Sequence, residues 1–420
     1  MLHSNWGGSL RPLENLDLLP EPEDHRILTA IDSSAPGYPG ADYGLSDQEA
    51  RELRWPIGPM KEYLWPNGAI IFSILTILLI ASWPWVNAYL IPILPDSEWA
   101  YDETTGIRQI QSQGFLGEGV HVCIVDTGID MTHPNFAHHE LSGFRDFVES
   151  KHDLIRDIGD NSHGTLMTGI LISNGTFKGA APMVELSVAL ALDDDGTSGS
   201  GDRVAQAIRW CRITQRVDII SLSLGGEPSD LSSNSQTNIA VQEALDAGIF
   251  VVAAAGNTGL DPDVKDVSQP SSVAGVISVG AHNKAGYAWG SSAYGSLTDL
   301  SSDENREYPN QKPEVIAPGV NIFSTASNSL SSPYAYSSGT SASTVFVTGA
   351  LALIIQQFGD EIAGSDGIID EEEMRMVKQS LATSCDRSNF GSNSHNSHSG
   401  YGSLDVVKWS EEVAFSFNIA

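Results

Sequence analysis

His121-Val-Cys-Ile-Val-Asp126-Thr-Gly-Ile-Asp130 is the stretch from which the fold can be read. Four apolar residues, three of them β-branched, run directly into an acid and a Thr-Gly turn. A run this short, β-branched and closed by turn residues predicts a strand buried on both faces. The same texture returns at residues 184–192, 217–224, 248–257 and 275–281. Between these runs, residues 202–216, 239–247 and 343–358 carry the apolar spacing of helices. Near-continuous apolar strands alternating with helices predict an α/β fold, a doubly wound parallel sheet with helices over both faces. No internal repeat is present.

Open parallel sheets carry their chemistry beyond the carboxyl ends of the strands. Three segments occupy such places: Val125-Asp126-Thr127-Gly128-Ile129-Asp130, Asp160-Asn161-Ser162-His163-Gly164-Thr165, and Ser338-Gly339-Thr340-Ser341-Ala342-Ser343. An acid, an imidazole and a hydroxyl, in that chain order, are the parts of an activated nucleophile. Serine attacks poorly until a neutral imidazole takes its proton, and the imidazole needs a carboxylate to fix its tautomer. DTGID, HGT and GTSAS resemble the three signature segments of subtilisin-like serine proteases. The resemblance implies that Ser341 is the nucleophile of a serine endopeptidase acting on polypeptides. It also implies that His163 is the general base and then acid, and that Asp126 orients His163.

The likeness extends further. VVAAAGN ends in Asn257, the position at which the family holds the oxyanion. Ser221-Leu-Ser-Leu-Gly-Gly226 resembles the family's substrate-binding segment and implies that Ser223, Leu224, Gly225 and Gly226 pair with an extended substrate. Gly199-Ser200-Gly201 is a weaker candidate for the opposite substrate strand. KPEVIAPGVNIFST from Lys312 and GYGSLDV from Gly400 also match. The likeness covers residues 99–410, leaving residues 411–420 as a C-terminal tail. Departures occur at Ala342 and Val345, where the family usually has Met and Pro, and at Leu166, where a second His is usual. They motivate one alternative, a catalytically weak or inactive protease-fold binding protein. No metal-ligand spacing is found among the remaining His residues, which include His138, His139, His395 and His398 and read as surface groups. No cofactor is required for catalysis. A structural calcium finds no support, because the loop 172–178 is shorter than the family's calcium loop. Asp193-Asp194-Asp195 reads as a solvated turn. The EF-hand-like run ending at Glu373 would need Ile362 as its first ligand, so Asp370 to Glu373 reads as a helix start.

The N-terminal part has a different character. Residues 1–62 are polar and rich in Pro, Gly and acids, and read as a disordered tail with a short helix near Ser46 and Glu49. Residues 63–95 contain no charged side chain. Trp65 and Trp83 stand 18 residues apart, about 27 Å as a helix. That is close to the ~30 Å hydrocarbon thickness, with aromatic anchors at both ends, and predicts one transmembrane helix as a single-pass anchor. Arg51, Arg54 and Lys61 before the span, against Arg108 after it, put the N-terminus in the cytoplasm and the catalytic domain outside. An intramembrane protease is excluded, since the apolar segment holds none of the candidate groups. Only about a dozen residues separate Pro95 from Ile107, after which the strand and helix alternation begins, so no inhibitory pro-domain is expected there. The 420 residues carry 22 Lys and Arg against 53 Asp and Glu, a net charge of −31. Such a surface repels nucleic acid and anionic membrane, which excludes a DNA or RNA partner. Cys123 reads as a small buried hydrophobe, and one bridge between Cys211 and Cys385 is left open.

Overall fold

The computed structural model of the chain describes residues 67–68, 70–83, 97–152, 154–197, 201–225, 235–300, 302–391 and 394–419. The expected tail 1–62, residues 63–66, 69 and 84–95 of the expected span, Gly226, and Gly199 with Ser200 lie outside the described residues. By internal contacts the chain divides into two units, Met1–Ile93 and Leu94–Ala420.

The second unit opens with two short helices, α1 (Glu98–Tyr101) and α2 (Ile107–Ser112). The sheet follows: β1 (His121–Asp126), β2 (Leu141–Asp146), helix α3 (His163–Ile172), β3 (Glu185–Leu190), helix α4 (Gly201–Trp210) and β4 (Ile219–Leu222). Helix α5 (Gln236–Leu245), β5 (Phe250–Ala254) and β6 (Ile277–His282) come next, then a two-residue pair, β7 (Thr298–Asp299) and β8 (Glu304–Asn305). Strand β9 (Val315–Pro318), the ribbon β10 (Ile322–Thr325) and β11 (Tyr334–Ser337), and helices α6 (Thr340–Ile362), α7 (Glu371–Ser384) and α8 (Val406–Ser416) complete it.

Seven strands form one sheet in the order β2-β3-β1-β4-β5-β6-β9, and every pairing within it is parallel. The expected α/β doubly wound sheet is therefore present. Strands β5 and β6 are buried at every residue, and β1 at all but its first. Helices α5 and α6 both pack on β5, so a continuous apolar run, without alternation, is what such a strand requires. The long helix α6 lies over β4, β5, β6 and β9. From β1 the chain goes to the edge strand β2 and returns to β3, between β2 and β1, then crosses to the other side of β1 and runs outward through β4, β5, β6 and β9. The crevice thus opens above the carboxyl end of β1, where Asp126 is the last residue.

Two sheet strands escape a reading of apolar runs. Edge strand β2, Leu-Ser-Gly-Phe-Arg-Asp, mixes polar and apolar residues and shifts register between Leu141 and Gly143. Strand β9 is four residues long and ends at Pro318. Helix α7 starts with a reciprocal cap, as Asp370 and Glu373 suggest: the Asp370 side chain accepts from the backbone N–H of Glu373, and Glu373 accepts from that of Asp370. Helix α8 continues to Ser416 and buries Val413 and Trp409, whose indole N–H donates to the Val377 carbonyl at 3.1 Å.

The cysteine expectation needs correction. Cys123 is bonded to Cys211, and Cys385 is the free, buried thiol. The bridge joins β1 to the π-helical turn that follows α4, across 88 residues of sequence. Their spacing carries no sign of this; α4 packs against β1, and that tertiary contact brings the two residues together. Burial pushes the Cys385 thiol up to about 12, which leaves it an inert small hydrophobe. The chain denatured without reductant should titrate one thiol, and three after reduction. Opening the bridge should lower unfolding stability by roughly 2–5 kcal/mol, measurable as a fall in Tm. Three thiols before reduction would refute the pairing.

Candidate active site

Asp126 ends β1 fully buried. Its carboxylate accepts from the backbone N–H of Thr127 at 2.7 Å. His163, the first residue of α3, places Nδ1 at 2.8 and 3.0 Å from the two Asp126 oxygens. With Nδ1–H donated to a carboxylate, the neutral ring keeps its free lone pair on Nε2. Burial lowers the His163 pKa, but the charge and hydrogen bond of Asp126, with a further contribution from the charge of Asp157, outweigh it and leave the pKa raised.

Close backbone approach explains the glycines of both motifs. Gly128 has φ +108, and a Cβ there would lie 2.1 Å from the Arg156 carbonyl oxygen. A Cβ on Gly164 would lie 2.0 Å from the Gly128 carbonyl oxygen. The DTG turn and the start of α3 therefore touch main chain to main chain. Helix α3 has no local cap, since Ser162 is left-handed (φ 54) and its side chain accepts nothing from the helix. Its first amides are satisfied from a distance: Gly164 N–H donates to Thr127 Oγ1 at 2.9 Å and Thr165 N–H to Asp157 Oδ2 at 2.8 Å.

Ser341 is the second residue of α6. Its hydroxyl donates to the Ser223 carbonyl at 3.1 Å, and the Ser223 hydroxyl donates back to the Ser341 carbonyl at 3.1 Å. The helix start is also fixed to the sheet by Ser343, whose hydroxyl donates to the Ala317 carbonyl at 3.0 Å, and by Thr348, which donates to Ser221 Oγ at 3.0 Å. Asn257 follows β5. Its carboxamide oxygen accepts from Thr340 N–H at 3.0 Å and from Thr340 Oγ1 at 3.1 Å. That leaves the donor Nδ2 as the end of the side chain available to the cleft.

His163, Ser341, Asn257, Ser223, Leu224 and Gly225 line one cleft of about 740 Å³. The structure thus gathers His163, Ser341, Asn257 and the described part of the Ser223 segment, with Asp126 bonded to His163; Gly201 instead starts α4 and is not among the described residues lining this cleft. Ala342, Val345 and Leu166, where the sequence departs from the family pattern, are all buried and line no part of this cleft. Among the described residues, no group of three or more His, Cys, Asp or Glu is placed to hold a metal ion. Asp193 pairs with Arg203 at 2.6 Å, and Asp195 accepts from Thr197. His395 and His398 are half-buried and bond to main-chain carbonyls, so their reading as surface groups is corrected. Sequence reasoning missed Asp157 and the three motif threonines, Thr127, Thr165 and Thr340. The only available signal was that each threonine sits inside a signature segment.

Residues 117–402 match the model of the subtilase family, and the chain belongs to that family. It is 34% identical over 252 residues to the major intracellular serine protease of Bacillus subtilis (strain 168), covering 59% of this chain and 71% of that protein. It is 34% identical over 272 residues to serine protease AprX of the same organism, covering 59% of each chain. It is 34% identical over 260 residues to a subtilisin of Bacillus pumilus, covering 60% of this chain and 84% of that one. Among solved structures, the prenylagaramide maturation protease PagA is similar in fold, with a TM-score of 0.56 at 20% identity, covering 73% of this chain and 98% of that chain. The protein is a serine-type endopeptidase.

Adding one methyl should disrupt the site. Gly164→Ala drives Cβ into the Gly128 carbonyl, and should lower stability by roughly 1–3 kcal/mol and turnover by about 10²-fold. Thermal melts and peptide hydrolysis rates check both, and a variant matching the parent in each would show that the approach of α3 to the DTG turn is not needed.

Proposed function

We propose that the chain hydrolyses polypeptides through an acyl-enzyme on Ser341. The observation that carries this reading is the Asp126–His163 hydrogen bond opening onto the same cleft as Ser341 and Asn257. Nε2 of His163 takes the Ser341 proton as Oγ attacks the scissile carbonyl, and Asp126 stabilises the imidazolium that forms. Nδ2 of Asn257 and the Ser341 backbone N–H, at the positive end of α6, hold the oxyanion. His163 then protonates the leaving amine, and a water deacylates the serine along the same route. The backbone of Ser223 to Gly226 pairs with the substrate as an added strand. An incoming substrate amide competes for the Ser223 carbonyl, which frees the Ser341 hydroxyl to turn towards His163. The departures from the family pattern sit in the core, so nothing in the cleft favours an inactive scaffold.

Ser341→Ala should lower kcat by roughly 10⁶-fold and abolish labelling by a peptidyl phosphonate. Asn257→Ala should cost roughly 10²–10³-fold in kcat. Equal labelling of wild type and Ser341→Ala would sink the reading. The pH dependence follows from the raised His163 pKa. The neutral imidazole does the work, so kcat/KM rises with pH through a value above that of an ordinary histidine. Stability runs the other way: the His163 contribution is full below the unfolded imidazole pKa and is lost as pH rises through the folded value. An acid limb below the ordinary histidine range would contradict the shift.

We further propose that residues 63–95 anchor the enzyme in a membrane with the catalytic domain extracytoplasmic. The helix Ile70–Trp83 supports this, because Ile70, Phe72, Leu75, Ile77, Leu79 and Ile80 are each at least 60% exposed. Such a surface is costly in water and neutral in lipid. This helix is shorter than a full span, but it lies within a run of sequence, residues 63–95, that contains no charged side chain. Among the described residues the one helix both long and apolar enough to cross a bilayer is Thr340–Ile362, but 72% of its apolar window is buried. It is the core helix that carries Ser341. The full chain should stay with the membrane fraction through a high-salt wash, and deletion of residues 1–95 should release it. Retention after the deletion would overturn the anchor.

A further inference from the structure

We propose that Asp157 is a positioning residue for hydrolysis, because its one carboxylate locks the segment carrying Asp126 to the segment carrying His163. The proposal deepens the reading of Asp126, His163 and Ser341 given above and rests on it.

Asp157 belongs to neither signature segment. It lies in the loop before α3, which pairs with the DTG turn: Ile129 N–H donates to the Arg156 carbonyl at 3.1 Å and Ile158 N–H to the Thr127 carbonyl at 3.0 Å. Its Oδ1 accepts from Thr127 Oγ1 at 2.7 Å and from Gly159 N–H at 2.9 Å. Its Oδ2 accepts from Thr165 N–H at 2.8 Å and Thr165 Oγ1 at 2.6 Å. Both hydroxyls are relays. Thr127 Oγ1 accepts from Gly164 N–H at 2.9 Å, and Thr165 Oγ1 accepts from Asp130 N–H at 3.0 Å. Each motif therefore donates into a threonine of the other, and both threonines donate into Asp157.

Burial pushes the Asp157 pKa up, while the four donors that converge on its two oxygens favour the ionised carboxylate, which alone can accept from all of them. No cation shares it among these partners. The neighbouring Arg156 turns instead to Asp146 at 2.8 Å and Glu149 at 2.7 Å. The charged groups around His163 are Asp126 from the end of β1 and Asp157 from the loop before α3, with Asp194 and Asp195 on the wall of the cleft. Asp157 is thus both a mechanical tie between the two motifs and a second negative charge favouring protonated His163.

The test uses the full chain with Asp157→Asn. The carboxamide keeps the shape, loses the charge and cannot accept from all four donors. A structural staple alone would lower Tm and leave the kinetics of the folded enzyme unchanged. The positioning role predicts a kcat about 10-fold lower or more at nearly constant KM, since the Ser223–Gly225 wall is untouched. It also predicts an acid limb of kcat/KM moved about 0.5 unit or more to lower pH. A folded variant with parental kcat and an unmoved acid limb overturns the proposal. If Asp157→Asn does not fold, Thr127→Val and Thr127→Ser carry the test. Only serine retains the relay hydroxyl, so serine should hold a kcat about 10-fold above valine, and equal values overturn the proposal. Failure of the underlying reading shows separately, as hydrolysis that survives Ser341→Ala.

Discussion

The hydrogen bond between the buried Asp126 carboxylate and His163 Nδ1 is the contact on which the rest of the site depends. A carboxylate with no exposed surface carries a desolvation cost of several kcal/mol unless it is partnered. Here the partners are the Thr127 amide and the imidazole itself. The carboxylate sits at that depth because β1 lies between β3 and β4, inside a sheet covered on both faces. The imidazole reaches it because Gly128 and Gly164 let two backbones meet without a side chain between them.

Each signature segment contributes a threonine whose hydroxyl bonds outside its own segment. Thr127 receives the Gly164 amide, Thr165 receives the Asp130 amide, and Thr340 holds both the Gly256 amide and the Asn257 oxygen. These bonds take the place of local helix capping. They also set the entry of α3 and α6 relative to the sheet, so the positions of His163 and Ser341 are decided by cross-segment contacts. The Ser341 hydroxyl is thereby held 3.1 Å from the Ser223 carbonyl, in the cleft that His163 also lines.

Behind this surface the molecule holds other charges with similar care. Glu314 lies fully buried between Lys312 and Lys378, at 2.8 and 2.6 Å. Its second oxygen accepts from the Ser278 amide of β6. Burial drives both lysines below their ordinary pKa. The Asp266–Arg306 pair is buried in the same way. Pairs like these add little net stability but penalise any arrangement that separates them, which favours one register of the segments around β6 and β9.

What could be read along the chain was what depends on neighbours in sequence. Strands β1, β3, β4, β5 and β6 are legible because a doubly covered strand must be apolar throughout. The helices are legible because their faces repeat. Asp126, His163, Asn257 and Ser341 are legible because a family resemblance attaches roles to short segments. The mixed edge strand β2 and the clipped β9 are not, since neighbouring strands satisfy them and their own composition says little. Asp157, the threonine relays and the Cys123–Cys211 bridge were likewise invisible. Each joins residues that spacing does not relate, and only the packing of loop against turn and of helix against sheet brings their polar atoms and sulfurs within bonding distance. Chemical identity at the site is local information, whereas the geometry that makes it a site is a property of the folded contacts.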